Sequence, residues 1–390
     1  MGLPQGITKN VFVLGIVSFL TDVSSEMVFP LLSIFLSIVL GAGKEIIGLI
    51  EGVGDSIASL TDIVFGYWSD RIGGRKKFVV GGYGLSSVLK AGLLFANAWP
   101  QVLLIRGLER LGKSIRTPAR DAIIAASAEK SVRGKAFGFH RMMDTFGAII
   151  GPAIAFAVLA FVGESEAGFR AVFAIALIPA ALAVLTIVFF VKEPKTKNRE
   201  TVVRPGFWKS LRALSMDYKR FLGISCLFSL SYFSFAMLML RATEIGIAVQ
   251  DTLLAYLVFN IIYALSSVPI GTLSDRVGRK PVIAAAFALF GMVCIGFIYA
   301  TGLVEVIALF AIYGLFVAAD ESVNKAYIAD MTDDKTRGIA LGAYSSAVGA
   351  VYLPANAVFG LLWAVFGAPV AFGAAAFIAV SAGALMLAKG

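Results

Sequence analysis

Long apolar runs separated by short polar breaks dominate the chain. Taking roughly 20 residues per crossing of the hydrocarbon, runs fit at about 10–39, 45–69, 77–98, 100–127, 134–162 and 168–191, then at about 219–247, 252–273, 280–301, 304–330, 336–366 and 369–388. This pattern predicts an all-α membrane protein with twelve transmembrane helices. Six fall in residues 1–191, a polar linker follows at 192–218, and six fall in residues 219–390. The two six-helix halves are expected to be related by pseudo-two-fold symmetry, as in transporters built from parallel repeats.

The polar breaks repeat as well. Gly66, Asp70, Arg71, Gly73, Arg75 and Lys76 lie between the second and third runs, and Gly271, Asp275, Arg276, Gly278, Arg279 and Lys280 lie at the same place in the second half. Asp70 and Asp275 are 205 positions apart in a chain of 390. Arg133 and Gly134 return as Arg337 and Gly338, each pair opening the fifth run of its half. The chain therefore reads as an internal duplication with equivalent loops on one side of a membrane.

Composition points to lipid as the solvent. Hydrophobic residues make up 58% of the chain and charged residues 15%, and the mean hydropathy is +0.86. A soluble protein of this size has no interior large enough for so much apolar surface. No cleavable signal peptide is expected, because the first run is too long for a signal h-region and stays as the first span. Cys226 and Cys294 sit in separate apolar runs, which suggests neither a disulfide framework nor a metal site. The single His140 excludes a multi-histidine metal site.

Charge sets the orientation. The stretch from Lys192 to Arg220 holds nine Lys/Arg against three acids. Its Pro194 and Pro205 prevent one continuous helix, while 207–214 has the pattern of an amphipathic surface helix. The loops at 71–77, 130–135 and 276–280 are also basic, whereas the alternate loops are poor in basic residues. By the positive-inside rule both termini and the linker are cytoplasmic, in a multi-pass protein of the inner (plasma) membrane. The net charge of +9 serves topology and anionic headgroups, and needs no nucleic acid.

The paired loops, in a chain of this pattern, resemble the signature of the major facilitator superfamily after its second and eighth spans. The first copy departs from that signature by the extra Gly74 before Arg75. The resemblance covers the whole chain and implies alternating access, with Gly66, Asp70, Arg71 and Arg75 in one half and Gly271, Asp275, Arg276 and Arg279 in the other forming cytoplasmic gating loops. Gly147, Gly151 and Pro152 resemble the glycine-proline motif of antiporter members, a partial match because Ala155 and Phe156 stand where that motif has a glycine pair. Small residues there allow close helix contact and proline kinks the helix.

The most pointed chemistry lies inside the spans. Arg106, Glu109, Arg110, Lys113, Arg116, Arg120 and Asp121 fall on one face of the fourth run, roughly 140° wide at about 100° per residue. A charge facing lipid costs at least ~2.5–3.5 kcal/mol near the bilayer centre, so this face must look inward. Asp22 and Glu26 share a face of the first run, Glu51, Asp55 and Asp62 a face of the second, and His140, Arg141 and Asp144 open the fifth. With Lys90, the residues named here are eight acids, seven Lys/Arg and one His, so much of the charge is expected to be paired.

Proton coupling needs a carboxylate or imidazole whose proton affinity burial raises and an approaching cation lowers. The candidates for that role, or for substrate binding, are Asp22, Glu26, Glu51, Asp55, Arg106, Glu109, Arg110, Lys113, Arg116, His140, Arg141 and Asp144. His140 lies near the cytoplasmic end, where a solvated gate role competes with a proton role. The second half is softer and more aromatic, with Tyr232, Asn260, Tyr263, Asp320, Glu321, Asn324, Lys325, Tyr344, Tyr352 and Asn356.

The expected function is a monomeric secondary transporter that exports a small organic compound in exchange for protons, surrounded by membrane lipid and needing no cofactor. The arginine-rich face also admits a symporter or exchanger of an organic anion, and a sensor that has lost transport would keep the same motifs. No Cys–His pair, HExxH or phosphate-binding loop supports an enzyme.

Overall fold

The structure, a computed structural model, describes residues 7–72, 74–129, 132–193, 214–332 and 337–389. Among the described residues the regular elements are helical: α1 (Lys9–Ile38), α2 (Lys44–Ile72), α3 (Arg75–Gly92, prolonged by a 3₁₀ turn at Leu93–Phe95), α4 (Trp99–Ser127), α5 (Arg133–Val162), α6 (Glu166–Phe190), α7 (Met216–Ser229), α8 (Phe235–Glu244), α9 (Val249–Val277), α10 (Arg279–Tyr299), α11 (Leu303–Asp330), α12 (Arg337–Phe366) and α13 (Ala368–Lys389). A helix satisfies its backbone without water, which is what an apolar run in lipid requires.

Nine of these helices are long and apolar enough to cross a membrane. α2 and α4 have the length, 29 residues each, but are too polar to meet that standard. Their shortfall is informative, because these two helices carry much of the charged chemistry. The expected seventh span is the third exception, since it divides into α7 and α8, of 14 and 10 residues.

Hydropathy could not see that division, because Leu230, Tyr232 and Phe233 keep the stretch apolar. Serines make the break. Ser231 Oγ donates to the Phe228 carbonyl at 2.6 Å, Ser234 Oγ accepts from the Ala236 amide, and the Ser234 amide donates to Asn356 Oδ1 at 2.8 Å. Each of these bonds replaces one that a continuous helix would make.

By packing, the chain divides into two units. The first comprises Met1–Gly41 and Ile57–Glu200, the second Ala42–Ser56 and Thr201–Gly390. In the first, α1 packs on α5 and α6, and α3 on α4 and α6; in the second, α7 packs on α12, and α10 on α11 and α13. Helix pairs in corresponding positions thus recur in both units. The N-terminal part of α2 lies in the second unit, where Gly48, Gly52 and Ser56 present small residues to α12, the usual device for close helix approach in lipid. A Cβ on Gly52 would lie 3.0 Å from the Leu353 carbonyl oxygen. Ser56 Oγ donates to the Gly349 carbonyl at 2.7 Å.

The duplicated polar breaks are tighter than loops. α2 runs through Asp70 and Arg71, and α9 through Asp275 and Arg276, so these residues ride on final helical turns. Gly74 directly precedes α3, and Gly278 alone connects α9 to α10. Gly74 has φ +65° and Gly278 has φ +94°. A β-carbon disfavours that region of backbone space. The extra glycine is absorbed in the turn, and Arg75 and Arg279 both open the following helix.

Candidate functional site

The first unit brings its carboxylates and its glycine motif to one seam. Gly147 and Gly151, one turn apart on α5, face α1 at almost no separation. A Cβ on Gly147 would lie 2.6 Å from the Phe19 carbonyl oxygen and 2.8 Å from Asp22 Cβ; one on Gly151 would lie 2.7 Å from the Val23 oxygen and 2.8 Å from Glu26 Cβ. Each motif glycine therefore packs at the Cα–Cβ level of one candidate carboxylate. Pro152 is buried beside them. Asp22 lies within electrostatic reach of Glu26, Asp144, Lys113 and Arg116.

Below these residues on α5, Asp144 accepts a hydrogen bond from the Ser18 hydroxyl, and its Oδ2 lies 3.6 Å from His140 Nδ1. His140 is only 4% exposed, so it is buried and not solvated here. Arg141, at the next position of the helix, is exposed.

The charged face of α4 points into the first unit. Arg106, Glu109 and Arg116 are buried, as is Lys90 on α3, while Lys113 stays solvent-accessible. An aromatic ring organises them: the Arg106 guanidinium lies 4.0 Å from the Phe29 centroid, Lys90 Nζ 5.6 Å and Arg110 5.9 Å. Desolvated cation–π contacts of this kind contribute up to ~2 kcal/mol each. Lys90 also donates to Ser24 Oγ at 3.0 Å and Ser25 Oγ at 2.8 Å, and Arg106 lies 3.7 Å from Glu109. Arg116 sits over Tyr83 at 4.3 Å and donates to Ser86 Oγ at 2.7 Å. Farther along, Arg120 pairs with the adjacent Asp121 at 2.9 Å.

Two expected partners of this face lie elsewhere. Glu51 and Asp55 belong to the second unit. Glu51 is buried and accepts from Ser234 Oγ at 2.9 Å. That contact lies at the N-terminus of α8, where the helix dipole favours a carboxylate. Asp55 acts electrostatically on Tyr232, Tyr313 and Tyr352. With these two acids removed, the eight counted for the charged spans of the first half fall to six, and the seven Lys/Arg are in excess.

The second copy of the duplicated motif is fully described at Arg279. It pairs with Asp275 at 2.5 Å and with Asp330, at the end of α11, at 2.9 Å, and it donates to Ser274 Oγ at 2.6 Å. It thus ties α9 to α11. In the first copy the side chains of Asp70 and Arg71, like that of Asp62, lie outside the described residues, as does Gly73. What is described there is a helix cap. Glu193 accepts from the backbone amides of Arg75 at 3.0 Å and Lys76 at 2.7 Å, and Arg75 Nη1 donates to the Ala122 carbonyl at 3.4 Å.

Sequence reasoning missed Phe29, Ser24, Ser25, Tyr83 and Ser234, which touch the charged groups without being charged. Their signal was faint: Ser24 and Ser25 fall between Asp22 and Glu26 in an otherwise apolar run.

Comparison with known proteins agrees with this architecture. The family model described as Major Facilitator Superfamily matches residues 14–241 and 221–389. An uncharacterized MFS-type transporter of Methanocaldococcus jannaschii is 37% identical over 363 residues, covering 92% of this chain and 89% of that protein. Among solved structures, the nucleoside transporter NupG superposes with a TM-score of 0.80 at 13% identity, over 98% of this chain and 99% of its own. A bacterial homologue of the human lysosomal transporter Spinster superposes with a TM-score of 0.79 at 14% identity, over 99% and 97%. With the helical fold, the duplicated turns at Gly74 and Gly278 and a family match along nearly its whole length, this chain belongs to the Major Facilitator Superfamily of transporters.

Proposed function

We propose that this transporter is a proton-coupled antiporter that exports a small organic compound by alternating access. In this reading α2, α4 and the α7–α8 pair also cross the bilayer, which gives twelve spans in two halves, 1–191 and 219–390, related by pseudo-two-fold symmetry. The protein works as a monomer in the plasma membrane, with both termini cytoplasmic.

The observation that carries the proposal is the seam of α1 and α5. The antiporter-like glycines lie directly against Asp22 and Glu26, the two carboxylates best placed to carry a proton. Asp22 has two kinds of neighbour there, the acids Glu26 and Asp144 and the cations Lys113 and Arg116. A carboxylate among acids holds a proton more tightly, and an approaching cation displaces it. A small shift between α1 and α4 therefore exchanges proton for ion pair, the local event that an alternating-access cycle amplifies. The cytoplasmic gate is the pair of glycine turns, with Arg279 bridging Asp275 and Asp330 in one state and released in the other.

The test is counterflow in proteoliposomes: an imposed inward proton gradient should drive efflux of loaded compound, and Asp22→Asn should uncouple it while exchange of compound persists. Efflux with the same proton dependence in Asp22→Asn and Glu26→Gln would sink the proposal. A second reading, symport or exchange of an organic anion, is favoured by the three cations around Phe29 and the cation excess of the first unit. Arg110-dependent binding of a carboxylate or phosphate compound, with no proton-driven efflux, would select it.

A further inference from the structure

The second unit holds a polar feature that the proton reading does not use. Its core is filled by phenylalanines: Phe228 stacks on Phe287 at 3.8 Å between centroids, and Phe233 on Phe359 at 4.1 Å. At one edge of this core the aromatics change to tyrosine. Tyr232, in the break between α7 and α8, lies 5.0 Å from Tyr352 of α12, ring to ring, and within electrostatic reach of Tyr313 of α11. Phenylalanine would pack as well here without the cost of burying a hydroxyl in a membrane span.

Two carboxylates explain the hydroxyls. Asp55 acts electrostatically on Tyr232, Tyr313 and Tyr352, and Asp320 on Tyr313, Tyr344 and Tyr352. Tyr232, Tyr352, Asp55 and Asp320 are all only partly buried. Lys325 is the cation that acts on Asp320, and Glu321, beside it, offsets that charge.

An independent observation points to a ligand. Asn324 is 2% exposed, and its Nδ2 donates to Asp320 Oδ1 at 2.7 Å and to the Tyr344 hydroxyl at 3.0 Å. Its Oδ1 is a buried acceptor with no hydrogen-bond partner among the described residues. Buried acceptors are normally satisfied, so one beside a carboxylate and a tyrosine calls for a donor from outside the chain.

We propose that the tyrosine cluster between Asp55 and Asp320 is the cargo-binding site of the second unit, and that it takes an organic cation with an apolar or aromatic body. The rings offer their faces to the cation and the apolar body, the two carboxylates supply the charge, and Asn324 Oδ1 accepts an N–H or O–H of the cargo. This deepens the export reading by naming the cargo class, and it rests on that reading.

The test is equilibrium binding of radiolabelled tetraphenylphosphonium to the full chain in nanodiscs at symmetric pH, with partition into empty nanodiscs subtracted. Tetraphenylborate, of the same shape and opposite charge, is measured in a parallel sample, because the two ions precipitate together. The site predicts saturable binding of tetraphenylphosphonium and none of tetraphenylborate. Asp55→Asn and Asp320→Asn should each weaken it by about tenfold or more, the scale of losing a charged partner. Tyr352→Phe keeps the ring and should cost only about two- to threefold, on the scale of a neutral hydrogen bond. Unchanged thermal unfolding certifies each variant as folded. Saturable binding of tetraphenylborate in the parallel sample, or parental affinity in both folded carboxylate variants, would overturn the proposal. Because no gradient is applied, the two readings fail separately. Binding without proton-driven efflux supports the cation site and counts against proton exchange; proton-driven efflux of an anion with no tetraphenylphosphonium binding does the reverse.

Discussion

The seam between α1 and α5 offers the sharpest test of how packing positions charge. In Gly151→Ala the new Cβ would lie 2.7 Å from the Val23 carbonyl oxygen and 2.8 Å from Glu26 Cβ, both fixed to the α1 backbone. Favourable contact of such atoms begins at ~3.5 Å, so α1 must retreat by roughly 0.7–0.8 Å at this level. Overpacking a dense interior in this way costs ~1–3 kcal/mol, about a 5- to 150-fold loss in the folded-to-unfolded ratio. The same retreat carries Asp22 and Glu26 out of register with Lys113 and Arg116. Displacements of ~1 Å at a reacting centre cost up to ~100-fold in rate, and proton-driven flux should fall by about tenfold or more. Gly138→Ala is the control, because a Cβ there meets nothing within 4 Å on the same helix. Its stability should be unchanged or raised by up to ~1 kcal/mol from helix propensity. The measurement is unfolding by circular dichroism in one detergent, with flux in proteoliposomes. If Gly151→Ala unfolds and transports as Gly138→Ala does, the seam is not the constraint described.

Three further outcomes follow from the geometry. Phe29→Leu keeps apolar volume but removes the ring face beneath Arg106, and should cost ~1–2 kcal/mol; a double-mutant cycle with Arg106→Met should return a coupling of that size, and a coupling near zero would leave the ring as simple packing. Glu193→Ala removes the acceptor for two amides at the start of α3. It should lower stability by ~0.5–2 kcal/mol, with Glu193→Gln recovering part of the loss in the same unfolding assay. Asp330→Asn loosens a pair whose carboxylate is 55% exposed. Stability should therefore move by less than ~1 kcal/mol; the effect belongs in turnover, and a large stability loss with unchanged turnover would make Arg279 a clamp and not a gate.

The architecture was legible because lipid leaves the backbone little choice. Glu166–Phe190 is an apolar run of 25 residues. Such a run must be a helix, and the paired glycine turns mark the repeat whatever the cargo. What escaped the sequence were departures from periodicity that need a partner to exist. The break at Leu230–Ser234 depends on Asn356, more than a hundred residues away, accepting the Ser234 amide. The assignment of Glu51 depends on Ser234 in the same way. Spacing along α2 puts Glu51 and Asp55 on one face, but spacing cannot say which unit that face meets.

This limit changes how the charges are to be read. Counted by span, acids and bases in the first half nearly cancel and suggest a structural network. Sorted by the unit that packs around them, two of the eight acids leave for the tyrosine-rich second unit, and the cations of α4 remain in excess around Phe29. Near neutrality in sequence is therefore a polarised pair of environments in space, one cationic and one anionic. A buried excess of one sign is costly unless a counter-charge arrives. In the proposed cycle, proton release at Asp22 or Glu26 reduces the cationic excess of the first unit, and a cargo cation offsets the carboxylates of the second. If a proton and a monovalent cargo cation are bound alternately, each replaces the other's positive charge and the net charge of the occupied protein stays constant, which is the electrostatic basis proposed here for obligatory exchange. Double neutralisation, Asp22→Asn with Asp320→Asn, should then abolish exchange without unfolding the protein. Exchange at the parental rate in that variant would show that coupling does not run through these charges.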